Sequence, residues 1–173
     1  MYIKIIGSLF LMTSAAAIGF LKADELNERV KQLKELKRMM ILLQGELRFH
    51  RAVLSEAFEN VSERVEEPFA SFLKEVAEGV EKKDLGGFER VWNEMSRQLL
   101  RGDGFAKEDE MLLEMLGSSL GYLDLTMQTE TLNLAVLQAE DAIKLAKEQQ
   151  EAKGKLYQTM GVTAGALLTL LII

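Results

Sequence analysis

The chain has 173 residues and a formal net charge of −6, with one proline, one histidine and no cysteine. The lack of cysteine excludes disulfides, thiolate metal sites and thiol nucleophiles. Seventeen acidic and eight basic residues lie between Ala52 and Asp124. This excess of negative charge argues against a nucleic-acid partner and favours a partner with a basic surface.

The first predicted element is a transmembrane helix over residues 3–21. Its segment 5–21 has no charged side chain, and about 20 residues of helix cross a bilayer core. A cleaved signal peptide is the alternative, because "SAAA" offers small residues for cleavage. The apolar run continues past that point to Leu21, however, and a basic flank follows that resists translocation. We therefore expect a retained span.

The second predicted span is residues 156–173, which also contain no charge. Gly161 and Gly165 are four residues apart, which indicates either a close helix–helix contact or only the high frequency of glycine in membrane helices. Basic residues precede this span and follow the first one, so the positive-inside rule places both termini outside and residues 22–155 in the cytoplasm. The predicted localisation is thus membrane-anchored, with two spans.

Between these spans, apolar residues recur every three or four positions, which is typical of amphipathic helices. A long first helix continues from residue 21 to about residue 47. Pro68 then starts a later helix at its first turn, and Trp92 and the phenylalanines fall at core positions. Breaks are expected at "KDLGG" and "RGDG", which read as turns. The predicted fold is all-α, an antiparallel bundle of about six helices, with the first and last helices paired antiparallel and extending into the transmembrane spans.

The stretch "LGSSLGYLDLTMQ", residues 116–128, is predicted to be a corner between the last two helices. Gly121 suits a left-handed position that ends one helix, and Asp124 can cap the next helix by accepting from the N–H of residue 126 or 127. Gly117 is unfavourable inside a helix unless close packing requires it. Gln128 lies one turn beyond Asp124 and can share a hydrogen-bonded turn with it. A purely structural corner and a partner interface both remain open for Gly117, Leu120, Gly121, Asp124 and Gln128.

A second candidate surface is acidic. Glu108, Asp109, Glu110 and Glu114 place negative charge in the first turns of a helix, where the helix dipole favours it. This is either a solvated helix start or a docking face for a basic partner; a metal site is disfavoured, because no loop converges several oxygens. No GxxxxGK[ST] loop occurs, and His50 has no nucleophile or metal ligand near it in sequence. We therefore expect no enzymatic activity, no cofactor and no small-molecule substrate.

The corner sequence resembles the stage III sporulation protein AB family, whose LG-x-x-LG-x-x-D-x-x-x-Q signature is matched by Leu116, Gly117, Leu120, Gly121, Asp124 and Gln128. The segments "LQGELRFHRAVLSEAF", with Glu46 and Phe58, and "FERVWNEM" also fit the family. One departure is Ala52-Val53, where the family is expected to have Pro-Leu, and it puts the sharpness of the turn after His50 in question.

The resemblance implies a function in endospore formation, within a mother-cell complex that forms a channel to the forespore. It also implies a helical domain similar to the platform domains of type II secretion and type IV pilus systems, which sit above a motor ATPase. By this analogy the chain is a non-enzymatic membrane adaptor that couples the motor ATPase of the same set, the AA protein, to the channel membrane proteins. The alternative is a platform component of a secretion or pilus system outside sporulation.

Overall fold

A computed structural model describes residues 2–50, 53–82, 87–102, 104–121 and 124–172. The described chain is all-helical, with six α-helices and one π-helical turn, Glu46–His50. The α-helices are α1 (Tyr2–Gly45), α2 (Leu54–Ser62), α3 (Phe69–Glu81), α4 (Gly87–Leu99), α5 (Lys107–Leu120) and α6 (Leu125–Ile172). The turn after His50, most of the "KDLGG" break and Asp103 of "RGDG" lie outside the described residues.

The structure contradicts the two predicted membrane spans. In the described part of the chain, no helix is both long enough and apolar enough to cross a membrane. The transmembrane extensions at 3–21 and 156–173, and the two-span localisation derived from them, are therefore wrong. The prediction rested on the lack of charge, whereas a spanning helix needs about 20 predominantly apolar residues. Both segments contain glycine and threonine, and one contains serine and the other glutamine; these residues add little apolar surface.

The chain divides into two compact units, a terminal unit (Met1–Val30 with Leu145–Ile173) and a central unit (Lys31–Lys144). In the terminal unit, the ends of α1 and α6 run antiparallel and touch through small residues. A Cβ added to Gly161 would lie 2.8 Å from the carbonyl oxygen of Ala15 and 3.1 Å from the Cα of Gly19. A Cβ on Gly165 would lie 3.1 Å from the carbonyl oxygen of Met12. The glycine pair thus marks a close helix–helix contact within the chain.

Polar contacts extend this pairing along the terminal unit. The side chain of Gln150 donates a hydrogen bond to Asn27, and that of Arg29 donates to Gln149 at 3.5 Å. At the surface, the Nζ of Lys22 lies 2.7 Å from a carboxylate oxygen of Glu25. This hydrogen bond raises the pKa of Lys22 above its ordinary value, because it stabilises the charged amine.

In the central unit, α1 and α6 again run antiparallel. The Nζ of Lys37 lies 2.6 Å from an Oε1 of Glu140, and Gln44 donates to the Oδ1 of Asn133 at 2.8 Å. The apolar rows of both helices are largely buried at the periodicity that the sequence predicts, although Val136 and Ile143 of α6 are only half-buried. These rows contain Leu33, Leu36, Met40, Leu43 and Leu47 of the first two elements and Leu132, Ala135 and Ala139 of α6.

Among the four shorter helices of the central unit, α2 contacts α3, α3 contacts α4 and α4 contacts α5. Pro68 lies immediately before α3, as its fixed φ favours. An aromatic cluster joins three of these helices: the indole of Trp92 lies 5.0 Å from the ring of Phe72, 5.7 Å from that of Phe88 and 5.8 Å from that of Phe58. Trp92 is completely buried, so the prediction that it belongs to the core is confirmed.

Candidate functional site

The corner between α5 and α6 is held first by Asp124, which lies directly before α6. Its Oδ1 accepts a hydrogen bond from the backbone N–H of Met127 at 2.9 Å, and its carbonyl oxygen accepts from the N–H of Gln128 at 2.9 Å. The carboxylate therefore satisfies a donor that the first turn of a helix leaves unpaired. Its negative charge also lies at the positive end of the helix dipole.

Gln128 joins the two helices. Its Nε2 donates a hydrogen bond to the carbonyl oxygen of Leu120 at 2.7 Å. Leu120 is the last residue of α5, so its carbonyl has no acceptor role within that helix. Asp124 and Gln128 thus lie at one corner but bind different partners. Asp124 caps the start of α6, and Gln128 connects α6 to the last residue of α5.

Gly121 does not adopt the left-handed conformation predicted for it. Its φ is −77° and its ψ is −27°, which is right-handed helical backbone. A Cβ at this position would lie 2.8 Å from the Cδ1 of Phe88, closer than real Cβ contacts. The glycine is therefore needed for the close approach of a ring from α4 and not for its backbone freedom.

Gly117 has the same kind of role one turn earlier. A Cβ on Gly117 would collide with the indole of Trp92, with 2.8 Å to both its Cγ and its Nε1. The same indole N–H donates to the carbonyl oxygen of Leu113 at 2.7 Å, inside the core. Trp92 thus packs against α5, and the missing side chain at Gly117 provides the space. The close packing that the sequence analysis required for this glycine is present.

The corner therefore combines buried and accessible groups. Leu116 and Leu120 are buried, Gln128 is half-buried, and Gly121 and Asp124 are exposed. Each of the predicted corner residues has an identifiable structural role. Gly121 and Asp124 are nevertheless accessible to a partner, so a structural role and an interface role are compatible at this corner.

The predicted acidic docking face does not exist as a continuous surface. Asp109 is buried, and its Oδ2 accepts from the backbone N–H of Ala106 at 2.7 Å. Its carboxylate thereby stabilises the start of α5 instead of facing a partner. Glu110 is half-buried and lines a surface cavity together with Arg97, Arg101 and Lys107. Glu108 and Glu114 are exposed, and only these two keep the predicted surface position.

Exposed carboxylates are more numerous on α2, on α3 and in the connection between these helices. This acidic hairpin presents Glu56, Glu59, Glu63, Glu66, Glu67, Glu75, Glu78 and Glu81 to solvent. Its cations are fewer: Lys74 is exposed on α3, Arg64 pairs with Glu46 at 2.9 Å, and Lys82, just beyond α3, pairs with Glu78 at 3.2 Å. The acidic excess between residues 52 and 124 predicts a docking face somewhere in that segment. The α5 carboxylates are only the candidate residues for it, chosen because charges at a helix start are easy to recognise locally.

Glu46 is a buried carboxylate that the sequence analysis did not single out as a site. It accepts from Arg64 at 2.9 Å and from the Nδ2 of Asn60 at 3.2 Å. A signal was available, since Glu46 lies three residues after Leu43 on the apolar row of the first helix. Buried charges persist where they are paired and hydrogen-bonded, and this network fastens the π-helical turn to α2 and the segment that follows it.

The described residues contain no cluster of three or more histidine, aspartate or glutamate side chains able to hold a metal ion. The side chain of His50 lies outside the described part of the structure. The contacts described at the corner are hydrogen bonds and close packing between helices.

Comparisons with known proteins agree with this architecture. Residues 4–173 match the model of the family described as stage III sporulation protein AB. The chain is 22% identical, over 170 residues, to the Stage III sporulation protein AB of Bacillus subtilis (strain 168), a match that covers 98% of this chain and 99% of that protein. A solved structure of Stage III sporulation protein AB (SpoIIIAB) is similar with a TM-score of 0.65 and 19% identity, covering 72% of this chain and 98% of that one. The likeness to the solved structure concerns the fold.

Proposed function

Because the chain belongs to the stage III sporulation protein AB family, we propose that it is a non-catalytic adaptor that couples a motor ATPase to a channel complex during sporulation. The observation that carries this proposal is the family match over residues 4–173. It favours a sporulation role over the alternative of a secretion or pilus system outside sporulation.

The surface charge supports an adaptor that binds a basic partner. Eight exposed carboxylates lie on the acidic hairpin, and two of its cations, Arg64 and Lys82, are already paired within the chain. Such a surface attracts a basic partner at long range and rejects an acidic one. We infer that the motor ATPase of the same sporulation set, the AA protein, docks on this hairpin through a basic surface of its own.

The rigidity of the central unit supports coupling. An adaptor transmits movement only if its helices keep their relative positions under load. The Trp92 indole against Gly117, and the Gln128 bond to the end of α5, join neighbouring helices by contacts that tolerate little displacement. A push on the acidic hairpin would therefore reach α6 through packed helices.

The test is binding of the purified full-length chain to the purified motor ATPase, measured by biolayer interferometry at low and at high salt. Attraction between exposed charges weakens as salt shortens the Debye length, so we expect the affinity to fall with salt. The variant Glu56→Lys/Glu59→Lys, on the exposed side of α2, should bind about tenfold more weakly at low salt. Glu148→Lys/Glu151→Lys, which changes two exposed carboxylates on α6 and alters the net charge equally, is the matched control and should bind normally.

Three results would count against parts of the proposal. Absence of any binding by the wild-type chain would remove the ATPase as its partner. Binding of unchanged strength in the hairpin variant and at high salt would leave an ATPase adaptor but remove the acidic hairpin as its docking surface. Nucleotide hydrolysis or another turnover by the purified chain alone would contradict the non-catalytic assignment.

A further inference from the structure

A surface cavity of about 420 Å³ lies at the connection between α4 and α5, and three cations line it. Arg97 belongs to the last turn of α4, and Lys107 is the first residue of α5. Arg101 lies between them, where its backbone N–H donates to the carbonyl oxygen of Gln98 at 3.2 Å and tightens the end of the helix. We call this space the α4–α5 cavity.

The three cations of the cavity have no counter-charge of their own. All three are exposed to solvent, and within the described part of the chain none of their side chains forms an ion pair. Glu110 lines the same cavity and is half-buried, but it forms no ion pair with any of them. Like charges that share one space repel each other. A bound anion would relieve this repulsion.

The carboxylates of α5 offset the cavity only in part. Asp109 is buried, and its Oδ2 accepts from the backbone N–H of Ala106. Glu108 is exposed and does not line the cavity, and Asp103 lies outside the described residues. Three cations and the single carboxylate of Glu110 therefore give the described lining side chains a net charge of +2.

The positive charge does not continue along α4. Arg97 also borders an adjoining surface cavity, which Glu89, Arg90, Asn93 and Glu94 line with it. Two carboxylates balance two arginines there, so an anion gains little by extending in that direction. The attraction for an anion is thus confined to the space between the end of α4 and the start of α5.

The α4–α5 cavity also has an apolar side. Leu100, Phe105 and Ala106 line it together with the charged residues. The ring of Phe105 packs edge-on against the ring of Phe69, with 5.9 Å between their centroids, and Phe69 is completely buried. The core therefore holds the apolar side in place. The volume lies within the range of small-molecule sites, about 300–1,000 Å³.

We propose that the α4–α5 cavity binds a small phosphate monoester. Its phosphate group lies against Arg97, Arg101 and Lys107, and its organic part lies against the apolar side. A phosphate monoester carries about −1.5 to −2 charges at pH 7, which matches the net charge of the lining, whereas a carboxylate carries only one. Guanidinium groups also bind phosphate oxygens through two parallel hydrogen bonds. The site shares no residue with the acidic hairpin, so it is independent of ATPase docking.

The test is a titration of the full-length chain with phenyl phosphate at constant ionic strength. A nonionic detergent covers the exposed apolar side chains of the terminal unit. Proton–nitrogen nuclear magnetic resonance follows the arginine Nε–H groups and the backbone amides of Leu100, Ala106 and Lys107. We expect saturable shifts with a dissociation constant on the order of 1 mM, because the cations are exposed and salt screens them.

Two further probes separate the parts of the ligand. Inorganic phosphate should bind more weakly than phenyl phosphate, since it leaves the apolar side uncovered. Benzoate has the same ring but one negative charge, and it should also bind more weakly. Equal binding of phenyl phosphate and benzoate, or shifts that do not saturate, would overturn the phosphate site. Equal binding of phenyl phosphate and inorganic phosphate would overturn the contact with the apolar side.

Variants locate the bound group. Arg97→Gln/Arg101→Gln should weaken binding about tenfold or more, because it removes two charge-assisted donors. Lys144→Gln/Lys147→Gln, on the exposed side of α6, alters the net charge equally and should bind as wild type. Glu110→Gln should strengthen binding about threefold, since it removes a negative charge from the cavity lining. Circular dichroism checks that each variant is folded. Wild-type affinity in the double arginine variant or in Glu110→Gln would overturn the placement in this cavity.

A phosphorylated side chain of a partner protein carries the same chemical group as a small ester. A phosphoserine pentapeptide with blocked ends is therefore titrated in the same way. We expect it to bind more weakly than phenyl phosphate, because the adjoining cavity carries two carboxylates and offers a peptide no further positive charge. Tighter binding of the peptide would overturn the small ester as the ligand.

Discussion

The side chain of Gln128 reaches back across the α5–α6 corner and donates a hydrogen bond to the carbonyl oxygen of Leu120 at 2.7 Å. Leu120 is buried and ends α5, whereas Gln128 lies in the second turn of α6. The side-chain amide of Gln128 thus supplies the hydrogen-bond donor that a backbone carbonyl at the end of a helix lacks. This hydrogen bond explains why position 128 is a glutamine, although the residue does not cap its own helix.

Replacing Gln128 by alanine should therefore destabilise the central unit. The carbonyl of Leu120 would lose its partner in a partly buried position, which costs about 1–2 kcal/mol. Urea unfolding followed by circular dichroism measures the change. Gln138→Ala, at an exposed α6 position, controls for helix propensity and should change stability by less than about 0.5 kcal/mol. Equal stability of the two variants would show that the bond to Leu120 contributes nothing.

Asp124→Ala tests the helix cap. The variant loses the 2.9 Å bond from the N–H of Met127, so we expect the free energy of unfolding to fall by about 1 kcal/mol. Asp124→Ser keeps an acceptor at the cap and should recover most of the loss. If the alanine variant kept the wild-type melting temperature yet failed to support sporulation, the role of Asp124 would lie at an interface instead.

Elements governed by local rules could be predicted from the sequence. The apolar rows of α1 and α6, Pro68 just before a helix and the carboxylate of Asp124 at a helix start all follow from periodicity and from the geometry of neighbouring residues. These features depend on residues a few positions apart. The sequence therefore located the α5–α6 corner and the all-helical architecture.

Features that depend on distant contacts could not be predicted. Gly121 is a glycine because Phe88 approaches it from another helix, and no local rule reveals that neighbour. Asp109 and Glu46 are buried because other groups of the folded chain donate hydrogen bonds to their carboxylates. The expectation that charged side chains are exposed therefore fails for both. The two membrane-span predictions are wrong for a different reason, since they counted the length of the uncharged segments and gave no weight to the glycine and threonine residues within them.

Two buried serines differ in hydrogen bonding, and this difference predicts different effects on stability when each is replaced by alanine. The hydroxyl of Ser62 donates to the carbonyl oxygen of Glu59 at 2.7 Å, whereas that of Ser96 has no hydrogen-bond partner among the described residues. A buried polar group without a partner is unfavourable. Ser96→Ala should thus leave stability unchanged or raise it by about 1 kcal/mol, and Ser62→Ala should lower it by about 1 kcal/mol. Urea unfolding that ranked the two variants in the opposite order would contradict this assignment.

Gly117→Ala tests the packing of the indole against α5. Alanine is the better helix former by about 1 kcal/mol, but its Cβ would collide with Trp92. Overpacking a tight core costs about 1–3 kcal/mol, so we expect a net loss of stability. Trp92 is the single tryptophan, and its fluorescence should shift to longer wavelength as the ring is displaced towards water. Gly154→Ala, where nothing lies within 4 Å of the added Cβ, is the control and should gain about 0.5–1 kcal/mol. Equal gains in both variants, with an unchanged tryptophan spectrum, would mean that the indole can move aside at no cost.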